Sequence, residues 1–198
     1  MSVQVGQAAP DFSAVAVMGN NEFKEDFKLS DFRGKYVALF FYPLDFTFVC
    51  PTEIIEFNRK LEDFRSRGVE VIGVSIDSQF SHWAWKNTVV NDGGIGDIQY
   101  PLVADIHKTI SRDYGVLIEE AGIALRGTFL IDKEGIVQHA TVNALGLGRN
   151  IDETLRMVDA LKHLEAHGEV CPAGWTEGDE AMTPSSEGVA SYLTKHAG

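Results

Sequence analysis

The order of apolar and polar positions along the chain predicts strands that alternate with helices. Residues 36–42 (YVALFFY) form an apolar run that is too short for a helix and too apolar for an edge strand, so we expect a buried strand, and residues 69–76 (VEVIGVSI) repeat the pattern. Between these runs, apolar residues recur at spacings of three and four until Gly68, which predicts an amphipathic helix from Glu53 onward. Its apolar residues are Ile54, Phe57, Leu61 and Phe64. The order of strand, helix and strand indicates an α/β fold.

The rest of the scaffold is predicted from patterns of the same kinds. We expect a helix at 83–90 before the glycine-rich loop 91–97, a hairpin of strands at 127–132 and 136–142 around the turn 133–135, and a long helix at 151–164. Asn150 suits the N-cap of the last helix. Because a hairpin pairs its strands antiparallel and a helical crossover pairs them parallel, the sheet should contain both strand directions.

The composition changes after Gly168. Glycines and prolines there interrupt every periodic pattern, at Pro172, Gly174, Gly178, Pro184 and Gly188. We therefore expect a domain of residues 1–167 and a C-terminal arm of residues 168–198. The second cysteine, Cys171, lies at the start of this arm, which we expect to be mobile, whereas Cys50 lies on the scaffold.

The length and charge of the chain narrow its possible functions. Its 198 residues, 44% of them apolar, suffice for one good core. The formal charge of −12 argues against a nucleic-acid or anionic-membrane surface, because phosphate binding depends on clustered Lys and Arg. The first residues lack a targeting pattern, and no stretch approaches the roughly 18 unbroken apolar residues of a membrane span, so we expect a cytoplasmic protein. In that reducing compartment, its two cysteines suit catalysis or burial better than a permanent disulfide.

Cys50 follows the first buried strand and directly precedes a proline. The thiolate is the reactive form of cysteine, and a helix N-terminus or a nearby cation favours it. Pro51 suits the first helical position, which makes Cys50 the N-cap, whereas Thr47 as the N-cap would make Cys50 the third helical residue. Both placements favour a thiolate. Four phenylalanines are expected to shield the thiolate from water: Phe40, Phe41, Phe46 and Phe48.

Cys50 could instead be an inert core thiol. However, its loop contains Pro43, Asp45 and Thr47 and follows the C-terminal end of a buried strand, which is where open α/β sheets place their sites. A reactive cysteine is therefore the better interpretation.

Several separated motifs are similar to those of the typical two-cysteine peroxiredoxins, the alkyl hydroperoxide reductase and thioredoxin peroxidase group. The active-site signature of that family resembles residues 41–53 (FYPLDFTFVCPTE). Four further segments match in order along nearly the whole chain: APDF at 9–12, RGTFLID at 126–132, GRNIDE at 148–153 and GEVCPAGW at 168–175. The resemblance implies a thioredoxin-like fold, with a central mixed β-sheet flanked by helices and a C-terminal arm. It also implies a thiol-dependent peroxidase that reduces hydrogen peroxide and small organic hydroperoxides without metal, haem or flavin.

The resemblance also assigns roles to individual residues. Cys50 becomes the peroxidatic cysteine and Cys171 the resolving cysteine, which the partner subunit supplies. Thr47 becomes the hydroxyl that hydrogen-bonds the peroxide, and Pro43 shields the thiolate. Arg126 becomes the guanidinium beside Cys50, where a fixed cation would stabilise the charge that develops on the leaving oxygen.

The same resemblance makes Glu53 the residue that holds the arginines in place, together with Arg149. From the residues alone, the favoured interpretation of Arg126 and Glu53 is an ordinary solvated ion pair, worth about 0–1 kcal/mol if exposed. The resemblance favours the catalytic interpretation for Arg126.

The resemblance further implies partners and a conformational change. The protein would be a homodimer, with dimers joined into a ring of five, and thioredoxin or a flavoprotein disulfide reductase would supply electrons. A sulfenic acid on Cys50 condenses with a second thiol or is over-oxidised, and a helical Cys50 must unwind to reach that thiol. The loop at 93–96 (GGIG) and the tail at 191–198 are similar to elements linked with over-oxidation. Leucine follows Tyr192 where the family has phenylalanine, and GGIG could equally be a mobile turn.

Two other functions are alternatives to the peroxidase. A thiol–disulfide exchange enzyme needs a C-x-x-C pair, and Glu53 stands where the second cysteine would be. An oligomeric holdase-type chaperone with the same fold is the non-enzymatic alternative, and its activity should survive replacement of Cys50.

His163 and His167 share a helical face, but without a third ligand we expect a solvated helix end and no metal site.

Overall fold

The computed structural model describes residues 3–196, so the last two residues of the tail motif lie outside the described residues. The strands in this range are β1 (Ser13–Val17), β2 (Phe23–Lys28), β3 (Tyr36–Phe41), β4 (Val69–Ser75), β5 (Leu102–Ala104), β6 (Leu117–Ile118), β7 (Ile123–Ala124), β8 (Arg126–Ile131) and β9 (Val137–Asn143). The α-helices are α1 (Cys50–Arg59), α2 (Leu61–Ser66), α3 (Gln79–Lys86), α4 (Thr109–Asp113), α5 (Ile151–His167) and α6 (Ser186–His196).

Seven strands form one mixed sheet in the order β2-β1-β5-β4-β3-β8-β9. The central strand β3 pairs parallel with β4 and antiparallel with β8, so Phe40 lies opposite Gly73 on one side and Thr128 on the other. All six residues of β3 are buried, which explains its unbroken apolar sequence. The predicted fold class with mixed strand directions is confirmed.

Close packing around β3 explains a glycine in the middle of β4. A Cβ on Gly73 would lie 2.9 Å from the Phe40 ring and 2.8 Å from Leu102, closer than side chains normally approach. Phe40 itself stacks on Phe57 of α1, with ring centroids 4.2 Å apart. This packing anchors α1 beside the C-terminal end of β3, from which the loop of residues 43–49 leads to Cys50.

Two predicted helices have different boundaries in the structure. The helix predicted from Glu53 to Gly68 is interrupted at Lys60, where φ is −95° and ψ is 10°, and it forms α1 and α2. The predicted apolar face remains buried on both pieces. The helix predicted at 83–90 begins earlier, because Ser78 caps α3 by accepting a hydrogen bond from the Ser81 amide, and it ends at Lys86.

Other elements were not predicted. Strands β1 and β2 have little alternation, with only Phe27 buried in β2, so their pairing at the sheet edge left a weak sequence signal. The arm, for which no periodic structure was predicted, contains α6, although none of its residues is fully buried. The predicted strands at 127–132 and 136–142 correspond to β8 and β9 and pair antiparallel as expected.

The described residues separate into two compact units, divided between Ile151 and Asp152. In the second unit, Trp175 is buried and accepts a hydrogen bond on its carbonyl from Arg156, and Val170 pairs with Met182 through an isolated β-bridge. The expected boundary between residues 167 and 168, at which the arm begins, stays a prediction. In residues 3–196, no helix has the length and apolar character needed to cross a membrane.

Candidate active site

Cys50 is the first residue of α1. Val49 occupies the N-cap, with helical φ and ψ of −86° and −34°, and Pro51 is the second helical residue. Both predicted placements of Cys50, as the N-cap and as the third helical residue, are therefore wrong by one or two positions. As both placements required, Cys50 lies in the first turn, where unpaired amides create a positive potential. That this position favours a thiolate stays a prediction.

The hydroxyl of Thr47 contacts the Cys50 sulfur. Thr47 Oγ1 lies 2.9 Å from Cys50 Sγ and 2.8 Å from the Leu44 carbonyl oxygen. A hydroxyl has one hydrogen, so it donates to the sulfur when the sulfur is a thiolate, and it accepts from the S–H when it donates to Leu44. The contact can therefore stabilise either form of Cys50 without moving the loop.

A guanidinium lies on another side of the same sulfur. Arg126 Nη1 is 3.5 Å from Cys50 Sγ and donates to Glu53 Oε2 at 2.7 Å, while Arg126 Nε donates to the Leu145 carbonyl. The Arg126 and Glu53 side chains are only 4% and 2% exposed, so this is not the solvated ion pair that the residues alone allowed. Every contact of this arginine holds its orientation toward the sulfur.

Arg149 completes the charged cluster. Its backbone amide and Nε donate to Glu53 Oε1, each at 2.9 Å, and its Nη2 donates to Glu53 Oε2 at 2.8 Å. Its Nη1 donates to the carbonyls of Phe41 and Gly127, which fixes it against the ends of β3 and β8. Two guanidinium cations thus share one carboxylate, and the buried group carries one net positive charge. Because an uncompensated buried charge is unfavourable, a Cys50 thiolate would complete its neutralisation.

A small opening leads to the sulfur. The opening has a volume of about 330 Å³ and a mainly apolar lining. The lining residues are Pro43, Leu44, Thr47, Phe48, Val49, Cys50, Ile123, Arg126, Leu145 and Gly146. Cys50 is among the lining residues, but it has no surface exposed to water in this conformation. The four phenylalanines expected to shield Cys50 do not form one wall. Phe40 and Phe41 lie in the core, Phe46 is 52% exposed, and Phe48, at the rim of the opening, is 92% exposed.

Cys171 lies in the second compact unit and is partly exposed. Its Sγ donates to the Ala160 carbonyl at 3.6 Å. Desolvation by burial raises the pKa of the Cys171 thiol, Arg156 opposes this rise, and the Glu169 carboxylate adds to it. Both cysteines are free thiols in this structure.

The sequence reasoning missed a buried polar network under the loop 43–49. Asp45 Oδ2 lies 2.8 Å from His82 Nδ1, and Asp45 Oδ1 accepts from the Tyr42 hydroxyl at 2.9 Å. Burial and the Asp45 carboxylate raise the pKa of Tyr42 well above its ordinary value, so its hydroxyl stays protonated as a donor. Asp45 was noted as part of the loop, but no local signal pointed to a histidine 37 positions away.

His163 and His167 on α5 contact each other, and His163 also contacts a carboxylate. The ring centroids of His163 and His167 are 4.6 Å apart, and His163 Nε2 lies 3.0 Å from Glu169 Oε2. Within residues 3–196, no cluster of three or more His, Cys, Asp or Glu side chains could hold a metal ion.

Comparison with known proteins gives consistent matches over the full chain. The profile of the AhpC/TSA family matches residues 5–140, and the profile of the C-terminal domain of 1-Cys peroxiredoxin matches residues 160–195. The chain is 62% identical over 194 residues to alkyl hydroperoxide reductase C of Helicobacter pylori, covering 98% of each chain, and 54% identical over 195 residues to peroxiredoxin-2 of Mus musculus, again covering 98% of each. Among solved structures, the reduced 2-Cys peroxiredoxin of Plasmodium vivax matches with a TM-score of 0.94 and 53% identity, covering 96% of this chain and 98% of that one.

Proposed function

Since the chain belongs to the AhpC/TSA family, as a thiol-dependent peroxidase of the two-cysteine peroxiredoxin type, we propose that Cys50 attacks the peroxide and that Cys171 resolves the product. One observation carries this assignment to Cys50: its sulfur lies 2.9 Å from the Thr47 hydroxyl and 3.5 Å from the Arg126 guanidinium. A hydroxyl and a cation at one sulfur suit a thiolate before the reaction and a charged leaving oxygen during it.

The first step transfers an electron pair from sulfur to oxygen. The Cys50 thiolate attacks one peroxide oxygen, and an S–O bond forms as the O–O bond breaks. The departing alkoxide or hydroxide takes a proton from water, equal to the one that the Cys50 thiol released on ionising, and leaves as an alcohol or water. Cys50 becomes a sulfenic acid. Thr47 and Arg126 hold the peroxide oxygens and stabilise the charge on the departing oxygen, and Pro43 keeps water from the sulfur.

Glu53 and Arg149 act through Arg126. The carboxylate of Glu53 accepts from both guanidinium groups, so it fixes where the Arg126 charge lies relative to the sulfur. Arg149 in turn fixes Glu53 against the ends of two central strands. We assign both as positioning residues.

The second step forms a disulfide. The thiol of Cys171, on the arm of residues 168–198 of the partner subunit, attacks the Cys50 sulfur, and the hydroxyl of the sulfenic acid leaves as water. Because Cys50 is fully buried at the start of α1, the first turn must unwind before the two sulfurs can bond.

Among the described residues, β9 ends the sheet with no strand on its outer side, and such an edge suits strand pairing in a homodimer. We propose that five such dimers form a ring.

The third step restores both thiols. A dithiol protein, thioredoxin or a flavoprotein disulfide reductase, reduces the Cys50–Cys171 disulfide and is itself oxidised to a disulfide. This requirement favours a reducing compartment, the cytoplasm. The small opening above Cys50 suits hydrogen peroxide and small organic hydroperoxides.

Peroxide consumption coupled to a recycling dithiol protein tests this assignment. The wild-type protein should consume peroxide in many turnovers and run as a covalent dimer on a non-reducing gel after peroxide treatment. Cys50→Ser should abolish both results. Cys171→Ser should react once with peroxide, form no covalent dimer bridged through both sites and lose turnover. A fully active Cys171→Ser variant with a thioredoxin donor would contradict the resolving role.

A holdase activity, by contrast, should survive Cys50→Ser, and no contact among the described residues specifically supports such an activity.

A further inference from the structure

The loop of residues 43–49, which carries Thr47 and leads to Cys50, is attached to the rest of the fold through the buried side chain of Asp45 and through further contacts of its neighbours. Asp45 is buried, and both of its carboxylate oxygens have partners: Tyr42 at 2.9 Å and His82 at 2.8 Å. Its backbone amide also donates to Asp77 Oδ2 at 2.9 Å. Asp45 is thus attached at both its side chain and its backbone.

His82 connects this attachment to the rigid part of the fold. Its side chain is fully buried on α3, and its Nε2 lies 3.2 Å from the carbonyl oxygen of Val103 in strand β5 of the main sheet. A carbonyl only accepts, so the contact with Val103 places a hydrogen on Nε2, while Nδ1 lies within hydrogen-bond distance of the Asp45 carboxylate. His82 therefore links the loop to the sheet through two hydrogen bonds.

The next residue in the loop has a strained backbone. Phe46 has a φ of 53°, in the left-handed region that non-glycine residues rarely adopt. Its ring packs on Trp85 of α3, with centroids 5.6 Å apart. Such a conformation persists only where its surroundings enforce it, and here Asp45 precedes Phe46 and Thr47 follows it. The position of the Thr47 hydroxyl over Cys50 thus depends on the attachment of Asp45.

We propose that His82 and Asp45 form a positioning pair that holds the loop and the first turn of α1 in the conformation that reduces peroxide. The pair exchanges no electrons or protons with the substrate. The proposal rests on the function proposed above, in which Cys50 must first be held beside Thr47 and Arg126 and must then unwind to meet Cys171. A firm attachment of the loop favours the position of Cys50 beside Thr47 and Arg126, and it delays the unwinding that brings Cys50 to Cys171.

Opposite effects on these two steps distinguish this role from ordinary stabilisation. With the attachment weakened, the Thr47 hydroxyl and the Cys50 sulfur spend less time in contact, so peroxide reduction slows. The same loosening lets the sulfenic acid of Cys50 leave its site sooner, so disulfide formation outpaces a second oxidation by peroxide. A substitution elsewhere that leaves this attachment intact should change neither step.

The test uses the full-length protein and two measurements. Stopped-flow fluorescence gives the rate at which the reduced protein reacts with hydrogen peroxide. Mass spectrometry of the intact protein during turnover with a dithiol donor gives the peroxide concentration that over-oxidises half of Cys50. For His82→Gln, which keeps a polar side chain but breaks the two-sided link, we expect a rate about tenfold lower and a half-oxidation concentration raised by about threefold or more.

Two further variants keep the outcome interpretable. Tyr42→Phe removes one donor to Asp45 and should shift both quantities in the same directions by about twofold, even if His82→Gln does not fold. Asp132→Asn alters a buried carboxylate that accepts from Ile136 and Gln138 at the far end of β8, and it should change neither quantity. Unchanged values in both His82→Gln and Tyr42→Phe, or a lower half-oxidation concentration in either of these variants, would overturn the positioning role. A wild-type protein that did not consume peroxide would instead refute the proposed function.

Discussion

Arg126 Nη1 lies 3.5 Å from Cys50 Sγ, and the two residues are 76 positions apart in the chain. The guanidinium is held in that position by Glu53 and by the Leu145 carbonyl, so it is oriented before any substrate arrives. Preorganised charge is effective in catalysis because no reorganisation is needed when charge develops in the transition state. The predictions below test the parts of this arrangement separately.

Replacing Arg126 should slow peroxide reduction without unfolding the protein. In Arg126→Gln the cation beside Cys50 is lost, but Glu53 keeps its bonds to Arg149, so the buried carboxylate stays paired. We expect the rate of reaction with peroxide to fall about 100-fold to 1000-fold, as for loss of one preorganised donor. Stopped-flow measurement with reduced protein gives this rate. Arg112→Gln, which removes an exposed guanidinium paired with Glu119, is the matched control and should leave the rate unchanged.

The rate of peroxide reduction should depend more on the Thr47 hydroxyl than on the shape of the Thr47 side chain. Thr47→Val keeps the shape but removes the group that lies 2.9 Å from the sulfur, whereas Thr47→Ser keeps the hydroxyl. We expect the rate of peroxide reduction to fall about 100-fold in the first variant and less than about tenfold in the second. In Thr52→Val the lost hydroxyl bonds only the Val49 carbonyl in the same turn, so activity should persist. Equal rates for Thr47→Val and the wild type would exclude a catalytic hydroxyl here.

Cys171 should be a slow nucleophile at neutral pH. Because burial raises the pKa of its thiol, less of it is thiolate at pH 7 than for an ordinary cysteine. In a Cys50→Ser background, alkylation by iodoacetamide should therefore be slower than that of glutathione at pH 7. The difference should narrow as the pH rises toward the pKa of Cys171. Since Arg156 lowers this pKa, Arg156→Gln should slow the alkylation further at neutral pH, and a faster reaction would contradict the electrostatic role of Arg156.

Lys86 should make stability depend on pH in the alkaline range. Its buried ammonium donates to the Met18 carbonyl at 2.6 Å, and burial lowers its pKa to about 8 from 10.5. Between these values the unfolded chain binds the proton that the folded chain has lost, so this group raises the free energy of unfolding as the pH rises. The slope is at most about 1.4 kcal/mol per pH unit.

Urea denaturation at pH 7, 8, 9 and 10 measures this slope. Lys86→Met should remove it, so the wild type should gain stability relative to the variant as the pH rises from about 8 to about 10. Lys35→Met, which removes an exposed lysine paired with Glu70, should follow the wild-type pH dependence instead. Parallel curves for Lys86→Met and the wild type would show that Lys86 has no depressed pKa.

The local elements were predictable where a single segment carries its own signal. The apolar run of β3 is buried over its whole length, and the proline after Cys50 correctly indicated that a helix begins there. The interruption at Lys60 was not predictable, because lysine is a good helix former and the buried positions keep their spacing across both helices. By contrast, Ser78 is of a residue type that favours the N-cap, so the start of α3 was predictable from the sequence.

By itself, the sequence determined an α/β scaffold, a mixed sheet and a cysteine in the first turn of a helix, since each follows from residues that are close together in the chain. Only the tertiary structure decided that Glu53 is buried between arginines 73 and 96 positions away, and that Asp45 is buried against His82. Periodicity along a chain reveals which face of an element is apolar, but it does not reveal which distant charges meet. Whether a charge is solvated or buried depends on those long-range contacts, and in this protein they set the electrostatic environment of Cys50.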